Sequence, residues 1–540
     1  MRQLISIVFL LMLCSPAWAA TYYIDYGAAD DSANGTTTST PWKRAPGMVG
    51  FAGSYSHSAG DVFVFKGGGT WPYTTLPLTI GYSGTEGNID TYMGGQRCGQ
   101  SGSAACNGGV AWGIGYPVFD GAMSLGLDGY GIYSYDKSYV LIDGIKVLDV
   151  GNSNSTCTAE NVPADCCTGF GTGNCTDGKG TAIAFFNGDS IEAKNCWLQP
   201  EGLTGFGYAN GSGAKSKVYF HDSYVRRAGR CIIYSDPGST LDDVRIYDID
   251  YQGPGDTYTA AFHLDGFMVG NPDTLQCTSS GTATVTNLLF ARIKFYGDWS
   301  AGATALIYSN GCTNYTTVYN SQFYIEDNSG GPNISPGFIN FHQHDGNISI
   351  LSSAFSSDAY PGYNLGAKGA IEIDNSPGPI VIKGNIFSGF GIALLWDTSQ
   401  SPTVTVDYNL YNMSHGGDRV DWGYVDASQI QSWADWQAAG YDTHGVNNPA
   451  CASMASCTYS GAYVGFIAVP TSTVGSGDLR IGANSPAKDA FPTAQAPTGI
   501  FTTDYSGVNR PQGAAWDIGA YEYYEQGSIH GVTSMGVSRQ

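Results

Sequence analysis

Charge is scarce in this chain of 540 residues. Asp, Glu, Lys and Arg together make up 13% of it, against roughly a quarter in an average soluble chain. That scarcity excludes long amphipathic helices laced with ion pairs. Basic charge is the scarcer kind: 24 Lys and Arg stand against 46 Asp and Glu, for a net charge of −22. A surface of that sign repels phosphate backbones and anionic headgroups, so nucleic acid is not an expected partner. Also missing are a Gly-rich phosphate loop, a Gly-x-Ser-x-Gly elbow, a His-Glu-x-x-His pair and any Cys-x-x-Cys spacing. The usual signatures of nucleotide binding, serine hydrolysis and zinc peptidase chemistry are thereby removed. Beyond the N-terminus no apolar run approaches the roughly 20 residues that span a bilayer.

What is abundant is glycine, with 75 residues, and aromatic side chains, with 36 Tyr, 23 Phe and 11 Trp. Enough apolar surface is present to offset the entropy of ordering, so the chain folds, and its composition favours strands and turns. Residues 1–19 read as an export signal: Arg2, the apolar run Leu4 to Leu13, then Ala17-Trp18-Ala19 as a small-x-small cleavage motif. The expected location is therefore secreted, extracellular or at the cell surface. Cleavage after Ala19 removes Cys14 and leaves an even set of cysteines, as in oxidising compartments. Their spacing suggests local loops joining Cys98 to Cys106 and Cys451 to Cys457, and a cluster of Cys157, Cys166, Cys167 and Cys175 for which zinc competes with disulfides. Cys196, Cys231, Cys277 and Cys312 fall on or beside strands, where they could staple layers.

From residue 138 to 415 one unit recurs: a short β-rich run, a turn with Gly or Asx, a second run and another turn. Clear copies begin at Val140, Val218, Val244, Leu288, Val318 and Ile380, with companion runs at Ala182, Cys231, Ala305, Phe338, Ala370 and Ile392. Two or three short strands per repeat, with no helical pattern between them, predict an all-β parallel solenoid rather than a βαβ array. A β-sandwich would show regular two-residue Asn-Gly or Asp-Gly hairpins, whereas these turns are longer and irregular. Asp236, Asn310, Asn375 and Asp397 fall at corners, where such side chains form a rung-to-rung ladder.

Both termini of this solenoid resemble the right-handed parallel β-helix proteins of the pectate-lyase-like superfamily. At the start the resemblance rests on Tyr22-Tyr-Ile-Asp25, Thr40-Pro-Trp-Lys43 and Gly60-Asp-Val-Phe-Val-Phe-Lys-Gly-Gly68. At the end it rests on Asp407-Tyr-Asn-Leu-Tyr411, Ser485-Pro-Ala-Lys-Asp489, Asp504 to Pro511 and Asp517-Ile-Gly-Ala-Tyr-Glu522. It implies an N-terminal cap over 20–80, a Cys-containing insertion and first coils over 81–135, and coils over 136–415 with a disulfide loop at 152–179. A C-terminal closing segment over 416–525 and a tail over 526–540 complete the organisation. The group includes lyases, glycosidases, epimerases, tailspikes and adhesins, so polysaccharide is the implied partner while the activity stays open.

Solenoids bind polymers along a lateral groove, so polar residues on outward strand positions are the candidates. Alternation in Phe262-His263-Leu264-Asp265, Ile339-Asn340-Phe341-His342 and Ile371-Glu372-Ile373-Asp374 places His263, Asp265, Asn340, His342, Glu372 and Asp374 outside, with His344 and Asp345 beside them. His263, Asp265, His342, Glu372 and Asp374 are the expected catalytic set: paired carboxylates serve glycoside hydrolysis, and His moves protons. Arg226, Arg227 and Arg230 form an expected cluster for reading an acidic sugar, as a β-elimination lyase requires. Tyr234, Tyr308 and Trp396, along with Tyr251, Tyr296 and Trp299, offer ring faces to a pyranose. No cofactor is demanded. The resemblance leaves room for Ca²⁺, for which Asp242, Asp243, Asp248 and Asp250 supply oxygens. Two functions fit: a polysaccharide lyase or glycoside hydrolase, or a non-catalytic adhesin, surface or tailspike-like protein that only binds glycan.

Overall fold

The structure, a computed structural model, describes residues 19–524 apart from 105, 126–128, 152–179, 237, 254–264, 271–284, 300–304, 311–312, 327–336, 343–345, 360–368, 375, 397–401, 415–420, 426–427, 454–455 and 498–501. His263, His344, Asp345, Asn375, Asp397, the four cysteines of 152–179, Cys277 and Cys312 lie outside the described residues.

Short apolar alternations cannot bury themselves singly, so they stack. Three parallel ladders result, and the chain is a right-handed parallel β-helix. The first ladder runs from Thr21–Ile24 through Val62–Phe65, Asp90–Gly94, Val140–Asp143 and Ile191–Lys194 to Val404–Asp407. A second, from Thr70–Pro72 to Val446–Asn447, merges with the first along the long strands Ala214–Arg226, Thr240–Gln252 and Val285–Tyr296. The third comprises Leu78–Ile80, Tyr130–Tyr135, Thr181–Phe186, Gly202–Asn210, Ala228–Ser235, Phe267–Val269, Ile307–Asn310, Ile339–His342, Ile371–Asp374, Ile392–Trp396 and Asp421–Val425.

In-register stacking puts like on like in the core. Phe295, Phe323, Phe355, Phe387 and Tyr411 form one column, with successive ring centroids 5.2, 4.7, 5.2 and 5.3 Å apart. Each buried ring contributes on the order of 2 kcal/mol by leaving water, plus the stacking itself. The solenoid's C-terminal end is plugged by aromatics, including Trp396, Trp422 and Trp436, all with 1% exposure or less. Trp436 sits in the helix Trp433–Ala438, whose N-cap Ser432 accepts the Asp435 N–H.

The corner between the first and second ladders recurs in the coils from residue 191 to 412. One residue there has positive φ: Asn195, Asp222, Asp248, Arg292, Asn320, Ser352, Gly384 and Tyr408 in successive coils. Where Ser or Asn follows this left-handed step, its side chain reaches along the helix axis to the neighbouring coil. Ser321 Oγ accepts the Ile293 N–H, Ser353 Oγ that of Ser321, Asn385 Oδ1 that of Ser353, Asn409 Oδ1 that of Asn385 and Asp442 Oδ1 that of Asn409, at 2.9 to 3.2 Å. A polar ladder therefore exists, though at a different corner from the one the sequence suggested. Of the four residues named for it, two are outside the described residues.

Two disulfides, Cys98–Cys106 and Cys451–Cys457, match the expected local loops. Cys196 and Cys231 are buried thiols without disulfides, correcting the expectation of staples there. Their strands belong to different ladders, so no register brings them together.

Residues 446–524 do more than close the end. They double back along the outer faces of the first and second ladders and build a second apolar cluster with Ala291, Tyr319, Tyr324, Ala354, Ile386 and Leu410. Tyr505 donates to Asp250 Oδ1 at 2.9 Å, Gln322 to the Tyr521 hydroxyl at 2.7 Å, and Glu326 accepts the N–H groups of Gly475 and Gly477 at 2.6 Å each. At Gly384 a Cβ would lie 2.8 Å from the Phe491 ring, so glycine serves both the left-handed corner and this strap. No helix among the described residues is long and apolar enough to cross a membrane.

Candidate functional site

The strap packs on the first and second ladders, whereas the expected site residues of 339–374 fall on the third. Register there aligns Met268, Tyr308, Asn340 and Glu372 in one outward column, and His342 beside Asp374 in the next. Adjacent strands are about 4.8 Å apart, so Asn340 stands directly between Tyr308 and Glu372. Asn340 Nδ2 donates to Glu372 Oε2 at 3.0 Å. His342 Nδ1 lies 3.4 Å from Asp374 Oδ2, with both side chains partly open to solvent. Burial, then the charges of Asp265 and Glu372, push the Tyr308 phenol up to about 12. It therefore stays a proton donor across the physiological range.

The sheet brings Asn340, His342, Glu372 and Asp374 side by side, but only His342 and Asp374 keep part of their side chains open to solvent; Asn340 and Glu372, expected outside, are buried at 4% and 1% exposure. Asp265 is buried as well, and its Oδ1 accepts the Ala305 N–H at 3.0 Å. The arginines do not form a cluster. Arg226 belongs to the second ladder, opposite Gln252; Arg227 occupies a left-handed corner and pairs with Glu201 at 2.8 Å; Arg230 is 1% exposed on the third ladder, with Nη1 3.8 Å from Met268 Sδ. A corner separates residues adjacent in sequence, which linear spacing does not reveal. Trp396 also departs from expectation: it faces inward, 5.1 Å from Tyr441 and 5.8 Å from Trp436. Tyr251 and Trp299 are core residues too, whereas Tyr234 and Tyr308 keep part of their surface on the third ladder. The proposed calcium ligands are engaged elsewhere. Asp242 accepts from Thr286 and Asn287, Asp243 from Tyr219 and Arg245, Asp248 from Arg292, and Asp250 from Tyr505. Among the described residues no three His, Cys, Asp or Glu side chains gather to hold a metal ion.

A second polar group, on the first ladder, was missed because its members are 29 residues apart in sequence. His221 donates or accepts at both nitrogens, 3.1 Å from Glu192 Oε1 and 2.7 Å from Asp222 Oδ2, and stacks on Tyr247 at 4.3 Å. Lys194 Nζ also reaches Glu192, at 2.7 Å. Every charge there has a partner of opposite sign, which marks a structural network.

No protein-family model and no curated protein sequence matches the chain. Solved structures share its fold. Pectate lyase Pel9A aligns with a TM-score of 0.42 and 14% identity, over 94% of this chain and 98% of that one. An alginate lyase from Paenibacillus sp. str. FPU-7 aligns with a TM-score of 0.36 and 14% identity, over 66% and 91%. A lacto-N-biosidase from Eubacterium ramulus gives 0.40 and 12%, over 78% and 69%. At such identities the likeness concerns the fold alone.

Proposed function

We propose that the third ladder's outer face cleaves a polysaccharide by glycoside hydrolysis, with Glu372 and Asp374 as the working carboxylates. The supporting observation is Asn340. Its Nδ2 holds Glu372, while its buried Oδ1 accepts no hydrogen bond among the described residues. A buried unpaired acceptor is costly, and a sugar hydroxyl would satisfy it. Glu372 and Asp374 are alternate residues of one strand, so their Cα atoms are about 6.6 Å apart, compatible with the 5 to 9.5 Å carboxyl separations of glycosidases. In this reading one carboxyl protonates the leaving oxygen. The other, turned by His342, activates water or attacks the anomeric carbon. Tyr308 donates a hydrogen bond to the sugar.

The acidity of Asp265, Glu372 and Asp374 suits a neutral glycan; a polyuronate would need Ca²⁺ to bridge the like charges. A second reading, β-elimination, is favoured by the neighbouring Tyr308 and His342, which can supply its acid and base. The test is incubation of the purified protein with neutral and uronic polysaccharides, in Ca²⁺ and separately in EDTA. New reducing ends without the ultraviolet absorbance of an unsaturated uronate support hydrolysis. Both signals together establish a lyase. Silence in both, with glycan still retained by the protein, overturns the enzyme reading in favour of an adhesin.

A further inference from the structure

The buried carboxylate of Asp61 stands at the junction between the export signal and the fold. It is fully buried and accepts three hydrogen bonds: from the Ala20 N–H at 2.7 Å, the Tyr55 hydroxyl at 2.8 Å and the Ser58 N–H at 3.0 Å. All three donors are neutral. Among the described residues no Lys, Arg or His forms an ion pair with Asp61, and His57, close by in sequence, pairs with Asp90 instead at 2.8 Å. A buried carboxylate served only by neutral donors is an expensive arrangement. Ala20 is also held from its other side, since its carbonyl accepts the Val62 N–H at 2.8 Å and the next residues, Thr21–Ile24, pair with Val62–Phe65. Ala19 by contrast is exposed, and Ala17-Trp18-Ala19 is a small-x-small motif.

We propose that hydrolysis of the Ala19–Ala20 bond by a leader peptidase makes Ala20 the first residue of the mature protein, and that its new α-ammonium is the counter-ion of Asp61. Water adds across the scissile bond. The Ala19 carbonyl carbon leaves as a carboxylate, and the Ala20 nitrogen takes up protons to become an ammonium. A neutral amide donor at 2.7 Å thus becomes a charged one in the same place, and charge-assisted bonds of this kind are about twice as strong as neutral ones. The first strand of the solenoid is locked by the event that releases it from the signal.

The experiment starts with the full chain exported from a bacterial host, whose mature product is sequenced from its N-terminus. The expected first residue is Ala20; any other overturns the proposal. Chains beginning at Ala20 and at Ala19 are then melted side by side. The second keeps a peptide amide at Ala20 and carries its ammonium one residue further out. The Ala20 form should melt about 2 °C higher, on the scale expected for a chain of this size, and D61N should abolish the difference. Equal midpoints, or a difference that survives D61N, overturn it. Should D61N not fold, acylation of the Ala20 α-amine gives a second readout: it should be slower in folded than in unfolded protein, and equal rates would refute the pairing.

Discussion

The side-chain oxygen of Asn385 accepts the backbone N–H of Ser353 from the preceding coil, at 2.9 Å. The amide nitrogen of the same side chain donates to the Ile350 carbonyl at 2.9 Å, and Asn385 is fully buried. Asn385→Ala strips partners from two buried backbone groups at once. A loss of about 2 to 4 kcal/mol is expected in chemical denaturation, with the core column of phenylalanines otherwise intact.

Asp374→Asn and Glu372→Gln should each lower the rate of the proposed hydrolysis roughly 100- to 10,000-fold, as removal of an acid or base does. Asp374 is partly exposed, so its variant should melt with the parent. Trp396→Ala makes the contrast: as a core residue it should cost about 3 to 5 kcal/mol of stability and leave glycan affinity per folded molecule unchanged in calorimetry.

Burial alone would lower the pKa of His221, but its hydrogen bonds to Asp222 and Glu192 outweigh that and hold it above its ordinary value. Burial likewise opposes ionisation of Glu192, yet His221 and Lys194 bring it down to about 2. The imidazolium's stabilisation is therefore complete below pH 6.5 and lost as pH rises through the raised folded pKa. That of Glu192 is complete above 4.5 and lost as pH falls towards about 2. Unfolding free energy measured from pH 6 upward should decline in the parent, and His221→Gln should flatten this slope. An unchanged slope would mean that the network does not titrate.

Arg510 and Glu522 are buried together, with Nη1 to Oε1 at 3.2 Å, and Arg510 also donates to the carbonyls of Asp517 and Gly519 and to Asn320 Oδ1. Burial lifts Glu522 to about 7 against the opposing charge of Arg510. Arg510→Ala leaves these acceptors unpaired and should cost about 3 to 5 kcal/mol. Limited proteolysis should then cut within 446–524 well before the coils.

Strand type and solenoid architecture were legible because apolar alternation repeats: the runs at Val218, Val244 and Leu288 became the paired long strands, and those at Phe338 and Ala370 became third-ladder strands in register. The pairing of Asn340 with Glu372 and of His342 with Asp374 follows from the same alternation, but the burial of Asn340 and Glu372 does not. The arginine group was misread because a left-handed corner residue, Arg227 with φ of 49°, separates Arg226 from Arg230, and Trp396 because it alternates inward with Ile392 and Leu394. The ladder from Ser321 to Asp442 was hidden for a related reason. Its rungs are Ser, Asn and Asp residues common in any turn, and it is a left-handed φ, at the preceding residue for Ser321 to Asn409 and at Asp442 itself, that tells which of them point along the axis.

The strap from 446 to 524 bears on how such a chain can change length over evolution. Coils of a solenoid are ordinarily interchangeable, and one can be duplicated or lost with its neighbours closing the gap. Here Asp250, Asn320, Gln322, Glu326, Asp358 and Gly384 each meet a fixed partner on the strap. The strap therefore acts as a ruler: adding or deleting a coil between 250 and 384 would put every later contact out of step by one rung. Growth and shrinkage are left to the coils before residue 240, which hold none of these partners among the described residues.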